Sequence, residues 1–263
     1  MFQGCGNSSE QLITKQARMR VAFLLLCLLY TTSSYVPRRR SPLKVHVATF
    51  ASSTLQAIKT APFEDIIPFL SEHVQPTDQL LFVGAGTDLS LQMLRAGYGG
   101  AKDSSPGCMT IIDSDASAIK ELTEMALQDP LIKARIDMGK VTIEAVDLMN
   151  MPSVCLQSAY DSVVDYGALD ALLVGSGKVS FLQCVDHLQD AVRLGNILVC
   201  LSTLDKKAFC APFEERLGWV QELDGDPGEI SAWYRGKTNI AATKSNFDRY
   251  GLKMYVYTNT DNC

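Results

Sequence analysis

Short apolar runs alternate with amphipathic stretches from residue 79 onwards, and this alternation is the feature that most constrains the fold. Each run has the length and continuous apolar character of a strand that is buried on both faces. The predicted strands are Gln79–Val83, Cys108–Ile112, Val141–Val146, Ala159–Val164 and Asn196–Leu201, and the clearest predicted helices are Asp88–Ala96, Asp115–Leu127 and Val179–Leu194. Such alternation predicts an α/β protein with a Rossmann-like, doubly wound sheet that is mostly parallel.

The C-terminal part of the chain follows a different pattern. Trp219–Leu223, Glu229–Tyr234 and Leu252–Thr258 are predicted strands with few helical residues between them. Neighbouring parallel strands need a long crossover connection, which is usually a helix. We therefore expect the sheet to end in an antiparallel C-terminal strand.

The first part of the chain has the composition of a targeting leader. Val21–Tyr30 is a run of ten apolar residues that basic residues precede, which suits the core of a signal peptide and is too short to span a bilayer comfortably. The stretch from Ser34 to Ser53 is basic, hydroxylated and free of acids, like a transit peptide. We predict a leader at residues 1–52 and a folded domain at 53–263 without a stable membrane span.

The order of these leader parts resembles the bipartite plastid leaders of algae with secondary plastids. In such leaders an aromatic residue starts the transit part, and Tyr35 stands at that place here. The resemblance implies a plastid location. A plain secretory signal and a short membrane anchor are the alternatives.

Charge and cysteine spacing disfavour a nucleic-acid surface and a metal site. A net charge of −5 disfavours a nucleic-acid surface, because phosphate affinity comes from clustered Lys and Arg. The eight cysteines form no CxxC pair, and the three histidines are scattered, so the ligand spacing of a zinc site is missing. We expect reduced structural cysteines, no metal site and no nucleic-acid partner.

Glycines or acidic residues follow the first four predicted strands. They are Gly84-Ala85-Gly86, Asp113, Asp147-Leu148 and Asp165. Ligands of such sheets lie beyond the carboxyl ends of the strands. Glycine lets a ligand approach the backbone, Asp113 can accept both hydroxyls of a ribose, and Asp147-Leu148 can bond an adenine amino group and pack on its ring. The spacing predicts a nucleoside-containing cofactor.

A nicotinamide-binding domain is the nearest alternative. Its GxGxxG fingerprint requires a third glycine, and Leu89 occupies that position here. Asp113 also lies farther from the glycines than the ~20 residues that this fingerprint places before its acid. Both departures weaken the case that the chain is an NAD(P)-dependent oxidoreductase.

Three segments resemble a known family. LLFVGAGTDLSLQMLRAGY (Leu80–Tyr98), TIIDSDASAI (Thr110–Ile119) and YDSVVDYGALDALL (Tyr160–Leu173) resemble the motifs of the eukaryotic methyltransferase-like family, which belongs to the class I S-adenosylmethionine (SAM) dependent methyltransferases. Its members include lysine methyltransferases of translation elongation factor 1A. The resemblance covers Gln79 to Leu204. Tyr166 replaces the signature lysine, and Asn196 stands in a Leu-Gly-Asn sequence where the family has Pro-Gly-Gly.

The resemblance implies a seven-stranded sheet, SAM as cofactor and a methyl acceptor, with a protein lysine favoured. It implies cofactor contacts at Gly84, Ala85, Gly86, Asp88, Asp113, Ser114, Asp147, Leu148 and Asp165. Asp165 and Tyr166 are the catalytic candidates, which would orient the acceptor. Asp170 is expected to cap the segment that follows it. A non-catalytic relative that acts through protein partners is the second hypothesis, and the altered Tyr166 and Asn196 motivate it.

Overall fold

A computed structural model of the chain describes residues 63–84, 89–100, 108–153, 158–216, 218–224 and 251–260. The predicted leader at 1–52 and the predicted strand Glu229–Tyr234 lie outside these residues. Three predicted cofactor contacts, Ala85, Gly86 and Asp88, lie outside them as well.

The strands of the described residues form a single seven-stranded sheet. They are β1 (Gln79–Val83), β2 (Cys108–Asp113), β3 (Val141–Ala145), β4 (Tyr160–Tyr166), β5 (Val192–Ser202), β6 (Trp219–Asp224) and β7 (Lys253–Asn259). Their order is β3-β2-β1-β4-β5-β7-β6. β1 to β5 run parallel, and β7 is antiparallel to both β5 and β6. The predicted fold class, a mostly parallel Rossmann-like sheet with an antiparallel C-terminal strand, is confirmed.

Helices precede β1 and lie between successive strands along the chain as far as β6. They are α1 (Phe63–His73), α2 (Leu89–Arg95), α3 (Ala116–Gln128), α4 (Pro130–Asp137), α5 (Ala168–Gly175), α6 (Lys178–Ala191) and α7 (Lys206–Glu214), and a 3-10 helix spans Leu148–Ser153. Aspartates cap several of them: Asp115 accepts backbone N–H bonds at the start of α3, and Asp129 does the same for α4. The helix predicted at Val179–Leu194 ends earlier, because Val192 already pairs with Tyr160 in the sheet.

The core lies on both faces of the sheet, as a doubly wound fold requires. Leu80 and Phe82 of β1 pack on one face with α1, α2 and α3, while Leu81 and Val83 pack on the other face with α6 and α7. Successive residues of a strand point to opposite faces, so a strand between two helical layers is apolar throughout. This explains why the continuous apolar runs predicted the strands well.

The described residues contain no helix that is long and apolar enough to cross a membrane. Within the same part of the chain, Cys108, Cys184, Cys200 and Cys210 form no disulfide bond, and no group of three or more potential ligands could hold a metal ion.

Candidate functional site

The parallel strands bring the predicted site residues to one edge of the sheet. Val83 pairs with Ile112 of β2 and with Asp165 of β4, so that Gly84 follows at the level of Asp113 and Tyr166. The Gly84 N–H donates to the Ile112 carbonyl over 3.0 Å. We call this place, where β1 to β4 end, the carboxyl edge. The strand order reverses between β1 and β4, and such a switch point is where ligands bind in doubly wound sheets.

Gly84 holds a conformation that only glycine adopts easily. Its φ is +90°, and a Cβ at this position would lie 2.9 Å from the Tyr166 carbonyl oxygen and 3.5 Å from the Ala168 Cβ. The backbone after β1 therefore contacts the backbone at the end of β4 directly. A side chain here would push the two strand ends apart.

The end of β2 presents a carboxylate to solvent. Asp113 is partly exposed, and its Oδ1 accepts the Asp115 N–H over 2.8 Å. Ser114 is exposed beside it. Asp115 in turn accepts N–H bonds from Ser117 and Ala118, so the start of α3 fixes the direction of the Asp113 turn.

The turn after β3 combines an exposed carboxylate with a buried apolar side chain. Asp147 is exposed and its Oδ1 accepts the Met149 N–H over 3.0 Å, whereas Leu148 is buried. The Val146 N–H donates to the Asp113 carbonyl over 2.8 Å, which holds this turn against the end of β2. Asp113 and Asp147 thus lie on adjacent strand ends.

His187 supports this turn from α6, a contact that the sequence did not predict. Its Nδ1 lies 2.9 Å from the Leu148 carbonyl oxygen, within hydrogen-bonding distance. The Cys184 Sγ lies 3.4 Å from the Met149 Sδ on the same side. A scattered histidine gave no signal of this role, since its partner is 39 residues away.

Asp165 is fully buried at the carboxyl edge. Its Oδ1 accepts the N–H groups of Ala168 at 3.0 Å and Leu169 at 3.1 Å, so that it caps α5. Its Oδ2 is buried and has no hydrogen-bond partner in the described part of the chain. Burial raises the pKa of Asp165 well above its ordinary value, and the nearby Asp170 raises it further.

Tyr166 lies on the opposite face of the sheet from Asp165, since the two are successive residues of β4. Its side chain is buried with Val164 in the cluster that contains Phe82, and the two rings are tilted with centroids 6.2 Å apart. Burial raises the pKa of its phenol above the ordinary value. The two predicted catalytic side chains therefore do not face each other.

Asp170 has another role than the one that its sequence position suggested. Gly167 holds the capping position of α5 without a side-chain bond, and the Asp165 carboxylate makes the capping contacts. Asp170 is buried inside α5 and accepts hydrogen bonds from Ser202 and Thr203. The expectation that Asp170 caps the following segment is wrong, because these partners lie more than thirty residues along the chain.

No family model matches the sequence, and no curated protein matches it either. Solved structures with a similar layout include the N-methyltransferase NodS from Bradyrhizobium japonicum WM9 in complex with S-adenosyl-L-homocysteine, at 13% identity, 82% of this chain, 99% of that chain and a TM-score of 0.49. Geranyl diphosphate C-methyltransferase from Streptomyces coelicolor A3(2) is 12% identical over 86% of this chain and 100% of its own, with a TM-score of 0.45.

A third similar structure is the cyclase SpnF, at 13% identity, 75% of this chain, 82% of its own and a TM-score of 0.45. These similarities concern the layout of the chain.

Proposed function

We propose that the protein is a SAM-dependent methyltransferase whose cofactor binds along the carboxyl edge. The observation that carries this proposal is the register of β1, β2 and β3, which gathers Gly84, Asp113 and the Asp147-Leu148 turn on adjacent strand ends. The roles of Ala85, Gly86, Asp88 and Ser114 rest on the sequence resemblance.

The described residues fit a nucleoside at this edge. Gly84 lets the ends of β1 and β4 meet backbone to backbone, the Asp113 carboxylate can accept ribose hydroxyls, and the exposed Asp147 carboxylate can accept an adenine amino group. Leu148 adds an apolar surface for the adenine ring. SAM, when bound, supplies a methyl group on a positively charged sulfur, so the protein's part is binding and orientation.

The strand order favours this proposal over an NAD(P)-dependent oxidoreductase. The common dinucleotide-binding sheet has the order 3-2-1-4-5-6. Here the antiparallel β7 lies between β5 and β6. Leu89, at the position of the third fingerprint glycine, is buried in the core on α2.

We further propose a protein lysine as the methyl acceptor, on the basis of the resemblance of Tyr160–Leu173 to the family signature. In this proposal the acceptor approaches the ends of β4 and β5, and Asp165 and Tyr166 shape that region. The buried Oδ2 of Asp165 supports a polar role there, because a buried carboxylate oxygen without a partner is costly unless a ligand or a proton satisfies it.

A non-catalytic SAM-binding protein is the second candidate, and one observation favours it. Asp165 and Tyr166 are both buried and point to opposite faces, so neither presents its polar group at the surface. Asn196 does not support this candidate. Its Nδ2 lies 3.3 Å from the Asp161 Oδ1, near the start of β4 and away from the carboxyl edge.

Calorimetric titration of the full-length protein with SAM, followed by incubation with labelled SAM and a cell extract, tests these candidates. We expect binding with a Kd below ~1 mM and transfer of label to a protein. Absence of binding at ~1 mM would refute both SAM-based candidates. Binding without transfer would favour the non-catalytic one, and preferential binding of NAD(P) would favour the oxidoreductase.

Replacing one carboxylate locates the binding site. Asp113→Asn should weaken SAM binding by about 10- to 100-fold, since a hydrogen bond to a charged group contributes roughly 1.5–3 kcal/mol. Asp190→Asn is the matched control, because Asp190 is exposed at the far end of α6, where β5 begins. Equal affinities for the two variants would argue against the carboxyl edge as the cofactor site.

A further inference from the structure

Asp170 is a buried acidic side chain near the carboxyl edge that accepts three hydrogen bonds. It is 1% exposed, and its Oδ1 accepts the Ser202 hydroxyl over 2.6 Å. Its Oδ2 accepts the Thr203 N–H over 2.9 Å and the Thr203 hydroxyl over 3.3 Å. The carboxylate thus joins α5 to the end of β5.

The same network holds the residues that follow β5. The Ser202 hydroxyl accepts the Leu204 N–H over 3.0 Å, and the Tyr255 hydroxyl donates to the Leu204 carbonyl over 2.9 Å. Asp205 then caps α7 through the Ala208 N–H. The segment Ser202–Leu204 therefore has its backbone groups fixed by side chains from α5, β5 and β7.

This segment lies beside the two predicted catalytic residues. β4 and β5 are paired neighbours, with Asp165 opposite Cys200 and Tyr166 opposite Leu201. Ser202 is the next residue of β5, and α5 begins two residues after Tyr166. The Asp170 network consequently ties together both sides of the region where the proposed acceptor would approach.

We propose that Asp170 is a positioning residue: it locks the Ser202–Leu204 segment to the start of α5 and so sets the geometry of the acceptor side of the site. This inference rests on the proposed function. It separates two tasks, because the proposed cofactor contacts other than Asp165 follow β1 to β3, whereas the Asp170 network lies on α5 and β5. Loss of Asp170 therefore affects transfer more than cofactor binding.

The carboxylate suits this role better than a neutral side chain. Burial raises the pKa of Asp170, and the hydrogen bonds from Ser202 and Thr203 act in the opposite direction by favouring the charged form. Bonds to an ionised acceptor are shorter and stronger than neutral ones. In Asp170→Asn, one oxygen becomes an NH2 group, which can no longer accept the bonds that Ser202 or Thr203 donates to that oxygen.

The test compares Asp170→Asn with Asp190→Asn in the full-length protein. For Asp170→Asn we expect faster amide hydrogen exchange at Thr203 and Leu204, a SAM Kd within about twofold of the wild-type value, and transfer of labelled methyl lowered by about tenfold or more, as small misplacements of reacting groups have large effects. Asp190→Asn should match the wild type in all three measurements.

Ser202→Ala keeps the test decisive if Asp170→Asn does not fold. It removes the hydroxyl that joins Asp170 to the Leu204 N–H, and it should show the same split between transfer and SAM affinity with a smaller amplitude. Equal losses of SAM affinity and transfer, or unchanged exchange at Thr203, would overturn the proposal. Absence of SAM binding by the wild type would instead refute the proposed function, and this role with it.

Discussion

A Cβ added to Gly84 would lie 2.9 Å from the carbonyl oxygen of Tyr166. The contact joins the residue after β1 to the last residue of β4, the two strands between which the strand order reverses. The distance between the ends of β1 and β4 is therefore set by direct contact between their backbones. Any side chain at Gly84 must change it.

Gly84→Ala should both destabilise the protein and weaken SAM binding. The positive φ contributes roughly 1–2 kcal/mol to the loss, as for other L residues in left-handed conformations, and the contact with Tyr166 adds to it. Gly139→Ala is a matched control, since Gly139 has a φ of +70° with open space around the added Cβ. Urea denaturation and SAM titration of both variants would measure the difference. If Gly84→Ala and Gly139→Ala lost the same free energy of unfolding, the contact of Gly84 with Tyr166 would contribute nothing to stability.

Asp165 should make the stability of the protein fall as the pH rises above about 4, the value near which an unfolded aspartate titrates. Its folded pKa is raised by burial, so the folded state holds a proton that the unfolded state loses in this window. Stability from this group is complete below the unfolded pKa and is lost as the pH rises towards the folded pKa.

Asp165→Asn removes this titration and retains an oxygen that can cap α5. We expect the variant to be at least as stable as the wild type at pH ~7 and to lose that advantage near pH ~4. The measurement is the free energy of unfolding by urea across this range, with Asp190→Asn as the control. A variant that is much less stable at neutral pH and keeps the wild-type slope would contradict the prediction.

Local patterns were sufficient to predict the seven strands of the described residues. The bounds of Gln79–Val83 were predicted correctly because both faces of β1 are covered, which leaves a continuous apolar run between polar residues. The junction of α6 and β5 was predicted less well. Val192 is apolar in either element, and its pairing with Tyr160 decides the boundary.

Long-range contacts explain what the sequence did not predict. The positions of Asp113 and Asp147 followed from strand ends, which are local features. The burial of Asp165 and the partners of Asp170 depend on how α5 packs against β5, and no spacing rule contains that information. His187 belongs to the same class, as its contact with Leu148 arises from the packing of α6 on the turn after β3.

His187→Phe should weaken SAM binding by about two- to tenfold, since a net hydrogen bond contributes roughly 0.5–1.5 kcal/mol. The variant keeps a ring of similar shape and removes the nitrogen next to the Leu148 carbonyl, so the proposed adenine-contacting turn loses one support. SAM titration measures the effect. Gln183→Ala, at an exposed position of the same helix, should leave the Kd unchanged. An unaltered Kd in His187→Phe would remove His187 from the site.

We expect Arg135 to stabilise the fold through hydrogen bonds to backbone carbonyls and not through an ion pair. It is 7% exposed, and its Nη1 donates to the Leu94 and Tyr98 carbonyls at 2.9 Å and 3.0 Å, which ties α4 to the residues that end α2. Arg135→Met keeps much of the apolar stem and leaves two buried carbonyls without this donor. The Leu94 carbonyl still accepts the Gly97 N–H over 3.1 Å, so the main cost falls on the Tyr98 carbonyl, and an unsatisfied buried group of this kind costs about 1–3 kcal/mol.

We therefore expect the free energy of unfolding of Arg135→Met to fall by about 2 kcal/mol or more, with little change at high salt because carbonyls rather than carboxylates are the partners. Lys133→Met is the control, since Lys133 is half exposed and pairs with Asp137 one turn away, a contact that contributes little. If both variants lost the same stability, the two carbonyl bonds of Arg135 would have no special role. A larger loss for Arg135→Met would establish that α2 is held from the α4 side.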